Sequence, residues 1–254
     1  MSDAILQTSD LTVRFGGHVA VNHVSCAFRA GELTAIVGPN GAGKTTYFNL
    51  ISGQIRASEG RVFLRQHDIT RMAVAERTRR GIGRAFQLTN LFPNLTVLEN
   101  VRLVIQAQHH RGFRLFSMAD SDTGITDAAA AILSRVRLDR LAAQKVSELS
   151  HGNQRKLEVA LLIALDPIVY MFDEPTAGMS VDDAPVVLDL IAELKADSSR
   201  AILLVEHKMD VIRSLADRIV VLHNGALAAD GPPAEVMASD VVQEAYLGRG
   251  LDNV

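Results

Sequence analysis

The chain has 254 residues, a length that suits one large α/β domain or two small ones. Hydrophobic residues make up 48% and charged residues 22%, and the net charge of −3 gives no support to a nucleic-acid-binding role. The single cysteine, Cys26, excludes an intrachain disulfide and is most simply a small buried residue of a strand. The N-terminus does not resemble a signal peptide, and no apolar run approaches the ~20 residues of a membrane span. We therefore expect a cytosolic protein that works at a membrane only by docking to a partner.

The first quarter of the chain combines amphipathic strands with one buried strand. Residues 4–30 and 55–69 alternate between apolar and polar side chains, which predicts antiparallel strands. Leu33 to Val37 (LTAIV) is a continuous apolar run before a glycine-rich loop and predicts a buried strand. Thr45 to Ile51, directly after that loop, is predicted to be helical.

The middle of the chain, from about residue 88 to 165, is predicted to be helical. Thr96 and Glu99 form a capping box before VRLVIQAQ, which indicates a helix N-terminus. Residues 109–126 show no clear period, which is typical of a loop or an insertion. We expect this part of the chain to form a helical lobe.

The last third returns to buried strands. The runs Ile168 to Phe172 and Ala201 to Val205 predict two more of them, separated by a helix over Val181 to Lys195. Asn224-Gly225, between two apolar segments, predicts a hairpin. Strands that alternate with helices indicate a parallel sheet with helices on both faces.

These elements predict one α/β domain over residues 1–254. It has a parallel core, an antiparallel β subdomain, a helical subdomain at about 88–165 and a short C-terminal extension at about 232–254. No internal repeat is evident in the sequence.

The glycine-rich loop GPNGAGKTT fits the pattern G-x-x-x-x-G-K-[ST] of a phosphate-binding loop. A strand precedes it and a helix follows, as the pattern requires. Glycines let several backbone N–H groups face one anion, and the helix N-terminus adds a partial positive charge. Lys44 would contact the β- and γ-phosphates, and the Thr45 hydroxyl would ligate Mg²⁺. The alternative is a structural glycine turn. The predicted phosphate-binding residues are Gly38, Pro39, Asn40, Gly41, Ala42, Gly43, Lys44, Thr45 and Thr46.

An acidic pair follows the second buried strand. Asp173 and Glu174 stand at its carboxyl end, where open α/β sheets bind ligands. Asp173 would hold Mg²⁺ through water, and Glu174 would orient or deprotonate the attacking water. The alternative interpretation of the pair is a turn. The guanine-recognising pattern N-K-x-D is absent from the sequence, so Phe15 is the candidate for stacking on an adenine base, with core packing as its alternative.

Together these motifs resemble the nucleotide-binding subunit of an ABC transporter, and the resemblance covers nearly the whole chain. Gly38 to Thr45 are similar to Walker A, and Asp173 with Glu174 to Walker B and its catalytic glutamate. The resemblance implies three further sites: Gln87 in RAFQ as the Q-loop glutamine that contacts Mg²⁺, Leu149 to Asn153 as the signature motif, and His207 in VEHKMD as the switch histidine. It also implies a P-loop NTPase fold with a RecA-like core, the cofactors ATP and Mg²⁺, and ATP hydrolysis.

The signature motif in this family completes the ATP site of a second subunit that faces it head to tail. A serine that begins a helix presents its hydroxyl and the free helical N–H groups outward, and a neighbouring glycine allows a close approach to phosphate. The residues that the resemblance assigns to this role are Ser150, His151, Gly152 and Asn153. The alternative is an ordinary serine N-cap, which is compatible with both roles.

Within the family the chain is most similar to ATPases of branched-chain, or hydrophobic, amino acid importers. RFGGHVAVNHVS, LFPNLTVLEN, DEPTAGMS and the terminal AYLG carry this likeness. It implies partners: a second ATPase subunit, transmembrane permease subunits and, indirectly, an extracytoplasmic binding protein, at the inner face of the cell membrane, with no nucleic acid. The alternatives are an ATPase of a urea or amide importer, a lipopolysaccharide exporter, or a soluble ABC protein without a membrane partner.

Four positions depart from the commonest family pattern. His151 replaces a glycine, Asn153 a glutamine, Ser180 the aspartate of the D-loop, and Phe15 a tyrosine. None of these changes removes a phosphate or metal contact, so we expect activity. The pair His109-His110 is interpreted as solvated, with metal binding as its alternative. The basic run of Arg77, Arg79, Arg80 and Arg84 is expected to form a solvated helix face, with contact to lipid headgroups or RNA as its alternative.

Overall fold

The structure, a computed structural model, describes residues 4–85, 91–108 and 123–239. Its residues group into two units. The first unit draws on Met1–Arg84, Ile168–Glu174 and Lys195–Val254, and the second on Ala85–Pro167 and Pro175–Leu194. The second unit thus includes the predicted helical range and adds residues 175–194.

The secondary structure follows the predicted order of elements. The strands are β1 (Ala4–Phe15), β2 (His18–Arg29), β3 (Leu33–Val37), β4 (Glu59–Leu64), β5 (His67–Asp68), β6 (Ile82–Ala85), β7 (Val169–Asp173), β8 (Ala201–Val205), β9 (Arg218–His223) and β10 (Ala226–Gly231). The helices are α1 (Lys44–Ser52), α2 (Val74–Arg79), α3 (Val97–Gln108), α4 (Thr123–Arg135), α5 (His151–Leu165), α6 (Ala184–Lys195), α7 (Met209–Leu215) and α8 (Pro233–Met237). Two short 3₁₀ turns lie at Asp139–Leu141 and Val146–Glu148.

The predicted antiparallel strands form one sheet of the first unit. Among the described residues its strand order is β2-β1-β4-β5, and each adjacent pair is antiparallel. Cys26 lies in β2 opposite Thr8 and is buried, as predicted. Burial raises the pKa of the Cys26 thiol to about 11.

The predicted buried strands form the core of a second sheet. Its order over the described residues is β10-β9-β3-β8-β7-β6, in which β9, β3, β8 and β7 run parallel and β10 is antiparallel to β9. Every residue of β3, β7 and β8 is buried, because both faces of the sheet are covered. The prediction of a parallel core is confirmed.

Alternate side chains of this sheet pack into two different apolar clusters. On one face Ile36 of β3 and Val220 of β9 pack in one cluster with Tyr47 and Phe48 of α1 and with residues of the antiparallel sheet. On the other face Ala35 and Val37 pack with residues of β9, α7 and α8. Helices therefore cover both faces, as the alternation of strands and helices predicted.

The predicted hairpin lies between β9 and β10. Asn224 and Gly225 have φ values of 49° and 77°, and His223 pairs directly with Ala226. Two successive positive φ values are the signature of a type I′ turn, whose twist matches that of the strands. The backbone N–H of Gly225 donates to the carbonyl of Ala42, so this turn also supports the glycine-rich loop.

In the second unit α3 packs against α4 and α5. The capping box is confirmed, since the Thr96 N–H donates to the Glu99 carboxylate at 2.7 Å and the Glu99 N–H donates to the Thr96 hydroxyl at 3.1 Å. The expected loop over 109–126 is wrong at its end, because α4 begins at Thr123; residues 109–122, with both histidines, lie outside the described residues. The buried side chains Ile125, Ala129 and Leu133 recur every four residues, a helical spacing with too few members to stand out in the sequence.

The interpretation of the arginine run as a solvated helix face is wrong for Arg77 and Arg84, whose side chains are buried. Arg79 and Arg80 are exposed. Arg77 is 2% exposed, and its guanidinium donates to the carbonyls of Leu50 and Ile51 in the last turn of α1. These carbonyls have no partner within the helix, so the buried arginine satisfies them. Burial lowers the pKa of Arg77 to about 10. Arg84 is also buried, as described below.

The described helices include none that is both long and apolar enough to traverse a lipid bilayer.

Candidate active site

The candidate site lies at the carboxyl ends of three adjacent strands. β8 lies between β3 and β7, and Val205 at its end pairs with Ile36 on one side and with Asp173 on the other. The loops that follow these strands therefore emerge side by side. This topology gathers the glycine-rich loop, His207 and Glu174, which are far apart in the sequence.

The conformation of the loop explains its glycines. Gly43 has a φ of 94°, and a Cβ atom there would lie 2.4 Å from the carbonyl oxygen of Ala20. At Gly38 a Cβ would lie 2.1 Å from the carbonyl of Leu222. A side chain at either position would collide with the backbone, so this loop conformation requires glycine at both. The alternative of a simple structural turn does not account for the charged lysine that follows.

Lys44 opens α1 with its side chain turned back into the loop. It is 6% exposed, and its ammonium donates to the carbonyls of Gly38 at 2.7 Å and Pro39 at 2.9 Å. Burial lowers the pKa of Lys44, whereas the charges of Glu174 and Asp173 oppose this shift. Two carbonyls of the glycine-rich loop thus hold the ammonium in place.

Asp173 and Glu174 occupy different environments although they are neighbours. Asp173 is the last residue of β7 and is buried. The strand was predicted to end one residue earlier, at Phe172. Glu174 has a φ of 52°, so the strand ends before it and its side chain takes a different direction from that of Asp173. Its N–H donates to the Val205 carbonyl at 2.9 Å. The His207 Nε2 lies 2.6 Å from the Glu174 Oε1, and both side chains are 40% exposed. Since a carboxylate only accepts, that imidazole nitrogen donates.

Glu174, His207 and much of the glycine-rich loop line a cavity of about 340 Å³ in the first unit. Its lining comprises His18, Ala20, Asn40, Gly41, Ala42, Gly43, Lys44, Thr45, Thr46, Glu174 and His207. A larger cavity of about 550 Å³ lies near Arg61 and Arg71 and includes none of the predicted site residues. The structure thus brings Asn40 to Thr46, Glu174 and His207 together, while Gly38, Pro39 and Asp173 are not among the residues that line this cavity.

The predicted adenine-stacking residue is exposed but does not belong to this lining. Phe15 ends β1 and is 50% exposed, so the alternative of core packing is wrong. Its ring is available for stacking, although it does not line the cavity. Gln87 lies outside the described residues.

Arg84 is a site residue that the sequence interpretation missed. Its guanidinium donates to the Asp173 Oδ2 at 2.7 Å, with both side chains about 5% exposed. Burial raises the pKa of Asp173, and the hydrogen bond and charge of Arg84 act in the opposite direction. The available signal was its position inside an apolar strand, IGRA, where an arginine needs a buried partner.

The predicted signature segment lies in the second unit, at the start of α5. Ser150 has extended backbone angles and its hydroxyl accepts from the Asn153 N–H at 3.4 Å, so the serine N-cap is present. His151, Gly152 and Asn153 are the first three residues of α5. Because the first N–H groups of a helix have no acceptor within it, this N-terminus is a candidate anion site.

Ser180, which the resemblance places in the D-loop, forms hydrogen bonds within its own chain. Its hydroxyl donates to the Asp183 Oδ2 at 2.8 Å and accepts from the Asp183 N–H at 3.1 Å. The same carboxylate pairs with Lys156 of α5 at 2.7 Å. The serine hydroxyl therefore has partners without any contact to a second subunit.

Comparison with known proteins identifies the family. The family model described as ABC transporter matches residues 21–177, and a second, described as Branched-chain amino acid ATP-binding cassette transporter, matches residues 227–252. The high-affinity branched-chain amino acid transport ATP-binding protein LivG of Salmonella typhimurium is 36% identical, over 98% of this chain and 99% of its own. The chain belongs to the ABC transporter family. Its relatives are the ATP-binding subunits of such transporters, and the chain is an ATPase of this family.

Two solved ABC cassettes share the fold of this ABC ATPase. The ADP conformation of the cassette MJ1267 has a TM-score of 0.81 and 31% identity, and covers 96% of this chain and 99% of that one. A dimeric post-hydrolysis state of the cassette MJ0796, bound to ADP and Pi, has a TM-score of 0.77 and 27% identity, and covers 90% and 98%. The predicted fold class, an α/β P-loop fold of the ABC type, is confirmed.

The donor set of this ABC ATPase fits Mg²⁺ only in combination with a nucleotide. Thr45 and Asp173 offer oxygen ligands, the kind that Mg²⁺ prefers. No group of three or more histidine, cysteine, aspartate or glutamate side chains among the described residues could hold a metal ion. Mg²⁺ is usually bound by one or two protein oxygens together with substrate phosphates, which matches this arrangement.

Proposed function

We propose that the chain binds and hydrolyses MgATP as a dimer and thereby powers import of branched-chain or other hydrophobic amino acids. The observation that carries the hydrolytic part is the contact between His207 and Glu174 at the cavity formed by the phosphate-binding loop. The import part is supported by the similarity to LivG along nearly the whole chain and by the matched C-terminal residues 227–252.

In this proposal the loop from Gly38 to Thr46 binds the triphosphate. The backbone N–H groups of the loop and of the first turn of α1 donate to phosphate oxygens. The Lys44 ammonium exchanges its bonds to the Gly38 and Pro39 carbonyls for bonds to the β- and γ-phosphates. Phe15, exposed at the end of β1, stacks on the adenine base.

Hydrolysis is assigned to the residues around the γ-phosphate. Glu174 accepts a proton from the attacking water, and His207 holds the carboxylate in place through its 2.6 Å contact and binds the γ-phosphate. Thr45, Gln87 and Asp173, the last through water, hold Mg²⁺. When bound, Mg²⁺ neutralises phosphate charge.

Dimerisation would complete each site. The N-terminus of α5 lacks a lysine and carries Ser150 as its cap, so it forms an anion site without a counter-charge of its own. We assign Ser150, His151, Gly152 and Asn153 to the γ-phosphate of a facing subunit. The dimer would dock on transmembrane permease subunits at the inner face of the membrane, with an extracytoplasmic binding protein on the other side.

Uptake of labelled amino acids by cells that lack the chain tests the import part. We expect loss of leucine, isoleucine and valine uptake in the deletion strain, recovery with the wild-type gene, and no recovery with Glu174→Gln. Uptake of urea and short amides, measured in the same strains, tests the alternative substrates. Normal uptake of all three amino acids in the deletion strain would exclude the import proposal, and a defect in lipopolysaccharide export would support the exporter instead.

A further inference from the structure

Arg84 lies at the centre of a buried polar cluster behind the candidate active site. Its side chain is 5% exposed and donates to the Asp173 Oδ2 at 2.7 Å. The same guanidinium donates to the Asn49 Oδ1 at 2.6 Å and to the Ser52 hydroxyl at 3.1 Å, both on α1. Its central carbon lies 5.4 Å from the centre of the Phe48 ring.

This cluster joins three elements that carry the active site. Arg84 belongs to β6, Asp173 ends β7, and Asn49 and Ser52 lie on the helix that begins with Lys44 and Thr45. The guanidinium is planar, and its donors have fixed directions, so bonds to several partners define the position of each acceptor. One oxygen of the Asp173 carboxylate is therefore held at a defined position relative to α1.

We infer that Arg84 is a positioning residue that acts through Asp173 and sets the contribution of Mg²⁺ to ATP binding. The inference rests on the proposed function, in which Asp173 holds Mg²⁺ through water and Thr45 on α1 holds it directly. Groups that orient a metal-binding side chain typically change metal affinity 10–100-fold when they are removed. An aspartate that loses its buried arginine also loses the orientation that a water-mediated contact needs.

The measurement that isolates this role is the ratio of two ATP affinities. Binding of a fluorescent ATP analogue is measured in Mg²⁺ and in excess EDTA. The dissociation constant in EDTA divided by that in Mg²⁺ gives the coupling between metal and nucleotide. For Arg84→Gln we expect this ratio to fall about 10–100-fold, or to one, while the affinity in EDTA stays within about twofold of the wild type. The matched control is Arg79→Gln, which removes an exposed arginine and leaves the ratio unchanged.

Two further variants separate positioning from a merely structural role. Arg84→Lys keeps the positive charge, but one ammonium cannot bond to Asp173, Asn49 and Ser52 in the same geometry, so its ratio lies between those of wild type and Arg84→Gln. The double variant with Asp173→Asn and Arg84→Gln has the same ratio as Asp173→Asn alone, because Arg84 acts through that carboxylate. If Arg84→Gln does not fold, as judged by circular dichroism, Asn49→Ala replaces it and lowers the ratio by a smaller factor.

A wild-type ratio in folded Arg84→Gln overturns the inference, as does a further fall in the double variant. Equal losses of affinity in Mg²⁺ and EDTA overturn it too, because they indicate damage to the loop itself. Failure of the proposed function is distinguishable: a ratio of one in the wild-type chain removes the Mg²⁺ site, whatever the variants show.

Discussion

At the residue scale, the backbone of Glu174 gives its carboxylate a different environment from that of its neighbour Asp173. Its φ of 52° is rare for a residue other than glycine, and such strain is retained where the surrounding structure enforces it. The bond from its N–H to the Val205 carbonyl provides that constraint. The neighbouring Asp173 keeps strand geometry and stays buried, so two adjacent carboxylates have separate environments.

Glu174→Gln should retain ATP binding and lose hydrolysis. The amide keeps the shape of the side chain but cannot accept a proton from water, and loss of a general base typically lowers the rate 10²–10⁴-fold. Steady-state phosphate release and ATP affinity are the measurements, with Glu235→Gln as an exposed control. The variant should accumulate as an ATP-bound dimer in gel filtration. Wild-type turnover in this variant would exclude Glu174 as the base.

His207→Ala should lower turnover by about 10–100-fold and leave ATP affinity nearly unchanged. The variant loses a hydrogen bond to a charged carboxylate, which is worth about 1.5–3 kcal/mol, and 1.36 kcal/mol corresponds to a tenfold change in rate. Turnover at saturating ATP is the measurement, and His67→Ala, at an exposed position of β5, is the control. Unchanged turnover would mean that His207 is only a packed residue at a strand end.

At the scale of elements, the N-termini of α1 and α5 are the two candidate anion sites. α1 has no side-chain cap and begins after Gly43, so its first N–H groups are open to the cavity and Lys44 supplies a charge. α5 begins at a serine cap in the second unit, and its first turn carries His151 but no lysine or arginine before Arg155. We interpret the first as a complete phosphate site and the second as one that depends on a partner.

Ser150→Arg should spare ATP binding to the isolated chain and prevent the ATP-bound dimer. The larger side chain would fill the space that a γ-phosphate of the facing subunit needs. Equilibrium binding and gel filtration in the Glu174→Gln background measure the two effects. A loss of ATP binding by the monomer would instead place the serine in the site of its own chain.

Mixing two inactive chains tests directly whether each site is shared between two subunits. A Lys44→Ala chain has a defective loop and an intact signature, and a Ser150→Arg chain has the reverse. In a mixed dimer one composite site carries both defects and the other carries neither, so hydrolysis should partly recover if one intact site suffices. Analytical ultracentrifugation confirms that the mixed dimer forms before its activity is interpreted.

At the scale of the whole molecule, nucleotide binding should appear as resistance to unfolding. A ligand that binds only the folded state at 100 times its dissociation constant contributes about 2.7 kcal/mol. For a chain of this length that corresponds to a rise in Tm of roughly 5–10 °C. Lys44→Ala should lose most of this rise, because the bond between its ammonium and the phosphates is missing.

Thermal scans with and without MgATP measure this difference, with Lys145→Ala as an exposed control that keeps the full shift. A full ATP-dependent shift in Lys44→Ala would contradict the assignment of the phosphate-binding loop. Without nucleotide Lys145→Ala should have the wild-type Tm, because its side chain is exposed. Lys44→Ala loses two buried hydrogen bonds to the loop, so its ATP-dependent shift is measured from its own nucleotide-free Tm.

The sequence by itself determined the elements whose chemistry is local. The buried strands, the capping box at Thr96 and the hairpin at Asn224 each depend on neighbouring residues, and all three are present as predicted. The glycine-rich loop is equally local, because glycine is required wherever a side chain would collide with the adjacent backbone. Its family could therefore be recognised before any contact was known.

Only the tertiary structure decided which distant residues meet. The two arginines interpreted as solvated are buried: Arg77 against the end of α1 and Arg84 against Asp173. A pattern of charges in the sequence describes one segment only. Burial of a guanidinium is unfavourable unless hydrogen-bond acceptors surround it, and here those acceptors lie on other elements. The contact of Glu174 with His207 likewise depends on β8 lying beside β7, since strand order is set by packing over the whole sheet.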